Sequence, residues 1–240
     1  MSGSDSFILT YHSLDLSGSV ISVTPETFRE HMRLLAASGR PVVRLEEALT
    51  TPGAVALTFD DGYLNFYDCA LDILEQYGFP ATVFVVSGRC GQVASWEGAA
   101  AEALMDWSHL AEAGKRGVSI GGHSVSHPDL THLPAAEMRV EIEDCRDTIR
   151  DKLGVSPASF AYPYGASQEQ VRNAAQKAFS LACGARLGVL RTDSSRFDLP
   201  RIDIYYFREQ RRFQDLLAGR ATAYLILRNS LRTVRKRLLG

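Results

Sequence analysis

Val55-Ala56-Leu57-Thr58-Phe59-Asp60-Asp61-Gly62 is the stretch on which the reading of this chain turns. A five-residue β-prone run is followed at once by two carboxylates, and a glycine then redirects the chain. Two adjacent carboxylates at the carboxyl end of a buried parallel strand point into the mouth of a barrel, where active sites gather. Asp-Asp-Gly is also ordinary turn chemistry after any strand, so the surrounding sequence has to arbitrate.

Outward from this stretch the same unit recurs. Short β-rich runs lie at 7–10, 42–45, 55–59, 81–86, 118–121, 159–161, 181–184 and 199–204, with helical patterns between them. Thr24-Pro25 reads as an N-cap followed by proline at the first helical position, with Phe28, Met32 and Leu35 as its stripe and Gly39 as its stop. Pro134 opens a helix carrying Met138, Ile142, Cys145, Ile149 and Leu153 on one face, ended by Gly154. A third helix uses Ala70, Ile73, Leu74 and Tyr77 before Gly78. Such alternation predicts parallel strands covered by helices, either as an α/β barrel or as an open doubly wound sheet. Neither G-x-G-x-x-G nor a P-loop is present, which removes support from the nucleotide-binding versions. No internal repeat and no composition break precede residue 205.

The chain has 240 residues, of which 45% are hydrophobic and 22% charged, with a net charge of −2. That balance suits one sizeable core and gives no reason to expect nucleic-acid binding. The charge is unevenly spread: residues 208–240 carry +7 and the rest −9. The sequence therefore divides into an α/β domain over 1–207 and a basic C-terminal helical extension over 208–240. In the extension, Tyr224, Leu227, Leu231, Val234 and Leu238 recur at helical spacing, while Arg228, Arg232, Arg235, Lys236 and Arg237 crowd the other faces. An apolar stripe edged with cations suits peripheral contact with an anionic membrane. No run of about 18 apolar residues predicts a membrane span. The first six residues have no signal-peptide character, so a cytoplasmic location is expected, with the extension at the inner membrane face. The four cysteines, Cys69, Cys90, Cys145 and Cys183, contain no C-x-x-C pair and read as small packing residues.

A second constellation follows the run at 118–121: His123-Ser124-Val125-Ser126-His127-Pro128. Two histidines four apart share a metal only if the backbone turns, since in a strand they lie roughly 13 Å apart and in a helical turn about 6 Å. Gly121-Gly122 before the pair and Pro128 after it favour a turn. Two imidazoles and a carboxylate, each just past a barrel strand, make a three-ligand metal site with positions left for water and substrate.

These residues resemble the polysaccharide deacetylases (carbohydrate esterase family 4). The first motif of that family looks like Thr58–Gly62, the second, H-[ST]-x-x-H, like His123–His127, and the third like Phe160-Ala161-Tyr162-Pro163-Tyr164-Gly165. The likeness runs from Leu9-Thr10-Tyr11-His12 to Leu199-Pro200-Arg201-Ile202, and the Tyr11-His12 opening is similar to the branch acting on exopolysaccharides such as poly-N-acetylglucosamine. The resemblance implies a distorted (β/α)7 barrel, a divalent metal that is most often zinc, and hydrolysis of an N-acetyl group on an amino sugar in a poly- or oligosaccharide. By matched position, Asp61, His123 and His127 are metal ligands, Asp60 is the general base, and the backbone N–H of Tyr164 helps to hold the oxyanion.

The chain also departs from that pattern. No histidine follows His132, where many family members place their general acid, and Ala161 stands where many carry an arginine. His12, or Asp60 working in both directions, is left for the acid role, and Arg201 is expected to supply the missing charge beside Asp60. Trp96 offers either a sugar-stacking face or plain packing. His31 and His109 are expected on solvated helix faces, and His132 in a loop outside the ligand set. Rival readings are a deformylase or deacetylase of a lipid-linked or small amide, a non-catalytic glycan-binding relative, and a non-haem iron oxygenase. The oxygenase's usual all-β scaffold conflicts with the strand–helix alternation.

Overall fold

The computed structural model describes residues 5–99, 101–191 and 193–239, with side chains in the last helix followed as far as Leu231. Seven parallel strands close a barrel: β1 (Phe7–Tyr11), β4 (Val55–Phe59), β5 (Ala81–Val85), β6 (Ser119–Gly122), β7 (Ser159–Ala161), β8 (Leu181–Leu187) and β9 (Leu199–Asp203). The ring closes where Leu9 pairs with Ile202 and Thr10 with Asp203. Two short strands, β2 (Ser13–Leu14) and β3 (Ser22–Val23), pair with each other above the barrel.

Strands of a covered parallel barrel are buried on both faces, so they lose the polar alternation of a half-exposed sheet. β1, β4 and β5 are buried at every residue. Phe7, Leu9, Tyr11, Val55, Leu57 and Phe59 belong to the layer shared with the helices, whereas Ile8, Ala56, Phe84, Cys183 and Leu199 form a separate interior cluster. Phe84 fills that interior so closely that a Cβ on Gly121 would stand 2.5 Å from its ring. The strand after it can pass only as glycine.

Among the described residues, seven α-helices surround the strands: α1 (Pro25–Ala37), α2 (Leu71–Tyr77), α3 (Trp107–Lys115), α4 (Ala135–Leu153), α5 (Glu169–Ala178), α6 (Gln210–Leu217) and α7 (Thr222–Leu239). Their ends follow local chemistry. Thr24 Oγ1 accepts from the Thr27 N–H at 3.0 Å and caps α1, and Gly78 and Gly154 end α2 and α4 in the left-handed conformation. Met138, Ile142, Cys145 and Ile149 are buried along α4, as their spacing predicts.

Two expectations need correction. The run at 42–45 is not a strand: it meets β4 only through the bridge from Val42 to Val55, because β1 and β5 already occupy both edges of β4. The chain then turns into a 3₁₀ segment, Glu47–Leu49. His31 is wholly buried rather than solvated, since α6 covers α1 and stacks Phe213 on the imidazole at 4.0 Å, while the Tyr11 hydroxyl lies 3.2 Å from Nδ1. Ala221, just before α7, and Leu225 on it are buried, and Asn229 Nδ2 donates to the Leu187 carbonyl at 2.7 Å. Of the expected stripe, Leu227 and Leu231 are exposed and Tyr224 is half-buried. Val234 and Leu238, and the side chains of Arg232, Arg235, Lys236 and Arg237, lie outside the described residues.

Burial pushes the His31 pKa down to about 4, so between that value and the ordinary ~6.5 the unfolded chain binds a proton that the folded chain refuses. Stability is therefore lost as pH falls through this window, by roughly 3 kcal/mol for the one group. Urea unfolding at pH 7 and pH 4.5 should show His31→Gln losing less stability on acidification than the parent protein. Equal losses would place the acid sensitivity elsewhere.

Candidate active site

Four of the barrel strands deliver their chemistry just past their carboxyl ends, and a fifth carries it within the strand. β4 runs into Asp60 and Asp61, β6 into His123, β1 into His12, and β7 into the turn Pro163–Gly165, while β9 carries Arg201 and Asp203. These residues meet around a cleft of about 270 Å³ that Trp96 also lines.

The backbone is unusual at this rim and nowhere else among the described residues. Non-glycine residues with positive φ are Asp61 (71°), Ser124 (66°), His127 (67°) and Tyr164 (56°), and all four sit in or between the motifs. Left-handed backbone costs such residues on the order of 1–2 kcal/mol each. The cost is spent on aim. Asp60 and Asp61 are neighbours in sequence, yet Asp60 meets Arg201 while Asp61 meets the two histidines.

Asp61 Oδ1 lies 3.4 Å from His123 Nε2 and 3.4 Å from His127 Nε2, and it is buried with no hydrogen-bond partner. A buried carboxylate oxygen facing two ring nitrogens without making a hydrogen bond is expensive unless something joins them. A metal ion about 2.0–2.1 Å from each corner of a tetrahedron holds those corners roughly 3.4 Å apart. The three atoms therefore fit one ion, and they are a possible Asp-His-His metal site. His123 Nδ1 donates to the Ala161 carbonyl at 2.8 Å, which leaves Nε2 free as a ligand. Burial, reinforced by the charge of His123, pushes His127 down to about 3, which keeps its imidazole neutral. Its ring is held between Trp96, stacked at 4.5 Å, and Tyr164, edge-on at 4.7 Å.

Glu141 holds the histidine turn from outside. Its carboxylate accepts from the backbone N–H groups of Val125 and Ser126, both at 2.9 Å, and from the Ser126 hydroxyl at 2.6 Å. The sequence carried no signal for this role, since Glu141 is one of several charges on the polar side of α4 and lies 14 residues beyond His127.

Arg201 meets Asp60 through two parallel bonds, Nη1 to Oδ1 and Nη2 to Oδ2, each 2.7 Å. Its Nε donates to the Gly184 carbonyl at 3.1 Å, inside the irregular register between β8 and β9. Burial alone would raise the Asp60 pKa, but the Arg201 charge and its bonds, with His123 and His12 behind them, hold it well below the usual carboxylate range. His12 Nε2 is 3.8 Å from Asp60 Oδ2 and remains partly exposed to the cleft. Ala161 contributes only its carbonyl, so Arg201 is the cation beside Asp60.

Tyr164 stands on the rim, half its surface exposed, and Gly165 beside it has no room for a side chain, since a Cβ there would lie 1.9 Å from that of Ala185. His132 is exposed and pairs only with Asp129, at 3.7 Å, away from the ligands. The cysteines are free thiols, and Cys145 and Cys183 are buried.

Replacing Arg201 with methionine leaves Asp60 buried without its counter-charge, so the carboxyl pKa rises. The acidic limb of the pH–rate profile should move upward, and the fold should lose about 3–5 kcal/mol. A limb that stays in place would show that another group keeps Asp60 ionised.

Comparison with known proteins agrees with this geometry. Residues 48–179 match the family profile described as polysaccharide deacetylase. The chain is 26% identical over 206 residues to YxkH of Bacillus subtilis (strain 168), covering 82% of this chain and 70% of that one. The Streptococcus pyogenes deacetylase PplD, solved in complex with acetate, superposes with a TM-score of 0.73 at 25% identity over 83% of this chain and 92% of its own. IcaB from Ammonifex degensii shares the fold, with a TM-score of 0.76 at 22% identity over 89% of this chain and 98% of its own. A seven-stranded barrel bearing these motifs at its strand ends, together with a profile match over more than half its length, establishes that this chain belongs to the polysaccharide deacetylase family.

Proposed function

We propose that the chain hydrolyses the N-acetyl group of an amino sugar within a glycan, with a divalent ion, zinc by its ligand set, held by Asp61, His123 and His127. The observation that carries this reading is the orphaned Asp61 oxygen facing two imidazole nitrogens at 3.4 Å, with a second carboxylate beside it. The acetate found with PplD supports the choice of acyl group. An ion bound there supplies Lewis acidity toward the amide carbonyl and toward a water molecule.

The protein's own groups do the rest. Asp60 accepts the proton of the attacking water, and the bidentate Arg201 fixes the direction of its lone pairs. Arg201 holds this carboxylate ionised, so the proton-accepting form is the one present in the cleft. His12, 3.8 Å away and open to the cleft, is the group placed to deliver a proton to the departing nitrogen. In the balanced reaction the amide C–N bond breaks, water oxygen joins the acyl carbon, and the amine leaves protonated. The Tyr164 N–H, on its left-handed turn at the cleft, takes the role of holding the oxygen that gains charge. Trp96 and Tyr164 flank His127 and line the cleft, where their rings offer faces for a sugar.

Asp61→Ala and His127→Ala should each lose bound metal by elemental analysis, whereas Asp60→Asn should keep it and lose ~10²–10⁴-fold in turnover. Product analysis on N-acetylated and N-formylated chito-oligosaccharides should give acetate release from the first. Full metal content in both ligand variants, or formate release with no acetate, would overturn the assignment.

We also propose peripheral attachment of α7 to an anionic membrane at its cytoplasmic face, where a lipid-linked or extruded glycan is within reach. Ile226, Leu227 and Leu231 are each more than half exposed, which favours it, and no described helix is long and apolar enough to cross a membrane. The full chain should co-sediment with phosphatidylglycerol vesicles at low salt, and a chain ending at Gly219 should not. Equal behaviour of the two forms would leave α7 a structural helix.

A further inference from the structure

Beside the catalytic cleft lies a second cavity, of about 390 Å³, whose walls are almost entirely arginine and tyrosine: Tyr205, Tyr206, Arg208, Arg212, Tyr224 and Arg228, with Glu209 at its edge. Three segments contribute: the turn Ile204–Phe207 with the residue after it, α6, and α7. Each guanidinium lies over a tyrosine ring, Arg208 over Tyr205 at 4.8 Å, Arg212 over Tyr224 at 5.1 Å and Arg228 over Tyr206 at 4.4 Å.

Charge in this cavity is out of balance. Three guanidinium groups face one carboxylate, Glu209, which lies 3.4 Å from Arg212. Arg208 spends one nitrogen on the Ser19 carbonyl, and Arg228 makes no ion pair among the described residues. The Nε atoms of Arg208 and Arg228 are buried without a hydrogen-bond partner. Buried donors on permanently charged groups are costly to leave unmet, and like charges gathered in one pocket repel one another. An anion relieves both penalties at once.

We propose that this cavity is a second binding site, for a phosphate ester carried on the sugar chain. A planar carboxylate satisfies one guanidinium fork, whereas a tetrahedral phosphate has oxygens for forks arriving from several directions. The site is also connected to the catalytic mouth. Asp203, at the end of β9, lines the catalytic cleft, and Tyr205 two residues later lines the second cavity. Arg208 holds the carbonyl of Ser19, while the next two residues, Val20 and Ile21, line the cleft. A loop wall is thus shared by the two, and in this proposal the N-acyl sugar lies over the metal ligands while a neighbouring phosphorylated substituent meets the arginines. This selectivity for a phosphate-bearing substrate rests on the deacetylase reading, but the anion site itself does not.

The test therefore begins with binding alone. Metal-loaded full-length protein is titrated calorimetrically with glycerol 3-phosphate, alongside Arg208→Gln, Arg228→Gln and Asp61→Ala, each checked for an unchanged circular dichroism spectrum. Each arginine variant should bind about tenfold more weakly, the scale of one lost charge-assisted contact, and Asp61→Ala should bind as the parent does. Equal affinity in both arginine variants would overturn the site, and so would a loss confined to Asp61→Ala, which would put the phosphate at the metal ligands. Binding of phosphatidylglycerol vesicles that depends on Arg208 and Arg228, with no binding of glycerol 3-phosphate, would overturn it in favour of a membrane headgroup array. A kinetic arm follows: KM for a phosphorylated N-acetyl oligosaccharide should lie below that for its unphosphorylated form, and the difference should vanish in Arg228→Gln. If neither oligosaccharide is deacetylated but the titration succeeds, the catalytic reading fails and the anion site stands.

Discussion

Closure of the barrel is the constraint from which the site follows. β9 must return to β1, with Thr10 against Asp203, and this puts Arg201 inside the barrel mouth, within reach of a carboxylate that left β4 141 residues earlier in the chain. A buried arginine and a buried aspartate are each costly alone and are tolerated only as a pair with well-made bonds. The irregular register between β8 and β9 exposes the Gly184 carbonyl to Arg201 Nε, so the guanidinium has a fixed seat before it meets Asp60. Barrel distortion and the geometry of the candidate site are here one feature.

The second organising element is the division of labour between Asp60 and Asp61. The two have the same side chain and adjacent positions, and they differ in backbone. Asp61 adopts a left-handed conformation, which turns its carboxylate toward the imidazoles while Asp60 faces the arginine. The histidine turn uses the same device twice, at Ser124 and His127, and borrows Glu141 from α4 to satisfy the amides that the turn leaves open. Rigid helices and strands thus hold a rim whose local conformations would not persist unaided.

Much of this was legible in the sequence for definable reasons. The run at 55–59 ends in two carboxylates, and His123 and His127 stand four apart between Gly122 and Pro128. Local order and spacing carry the strand–helix alternation and the two motifs, and the resemblance those motifs bear to a known family supplied the expectation of a barrel. What local order does not carry is the neighbour across space. The run at 42–45 has strand composition but finds no free edge in a closed barrel. His31 looks like a polar helix position until α6, some 180 residues later, covers it. On α7 the groove beside β8 takes Leu225, which the spacing of Leu227 and Leu231 did not single out. Glu141 and the stacking of Trp96 on His127 are tertiary facts with no periodic trace.

The left-handed residues carry a consequence for how such a protein changes over time. Asp61, Ser124, His127 and Tyr164 occupy backbone conformations that glycine adopts without penalty. At each of them, the replacement that best suits the chain as a folded object removes part of the site. Selection for activity and selection for stability therefore pull in opposite directions at the same four codons. A copy of the gene relieved of its chemical duty would drift toward a sturdier, silent barrel, and these four positions are where the drift would be written first.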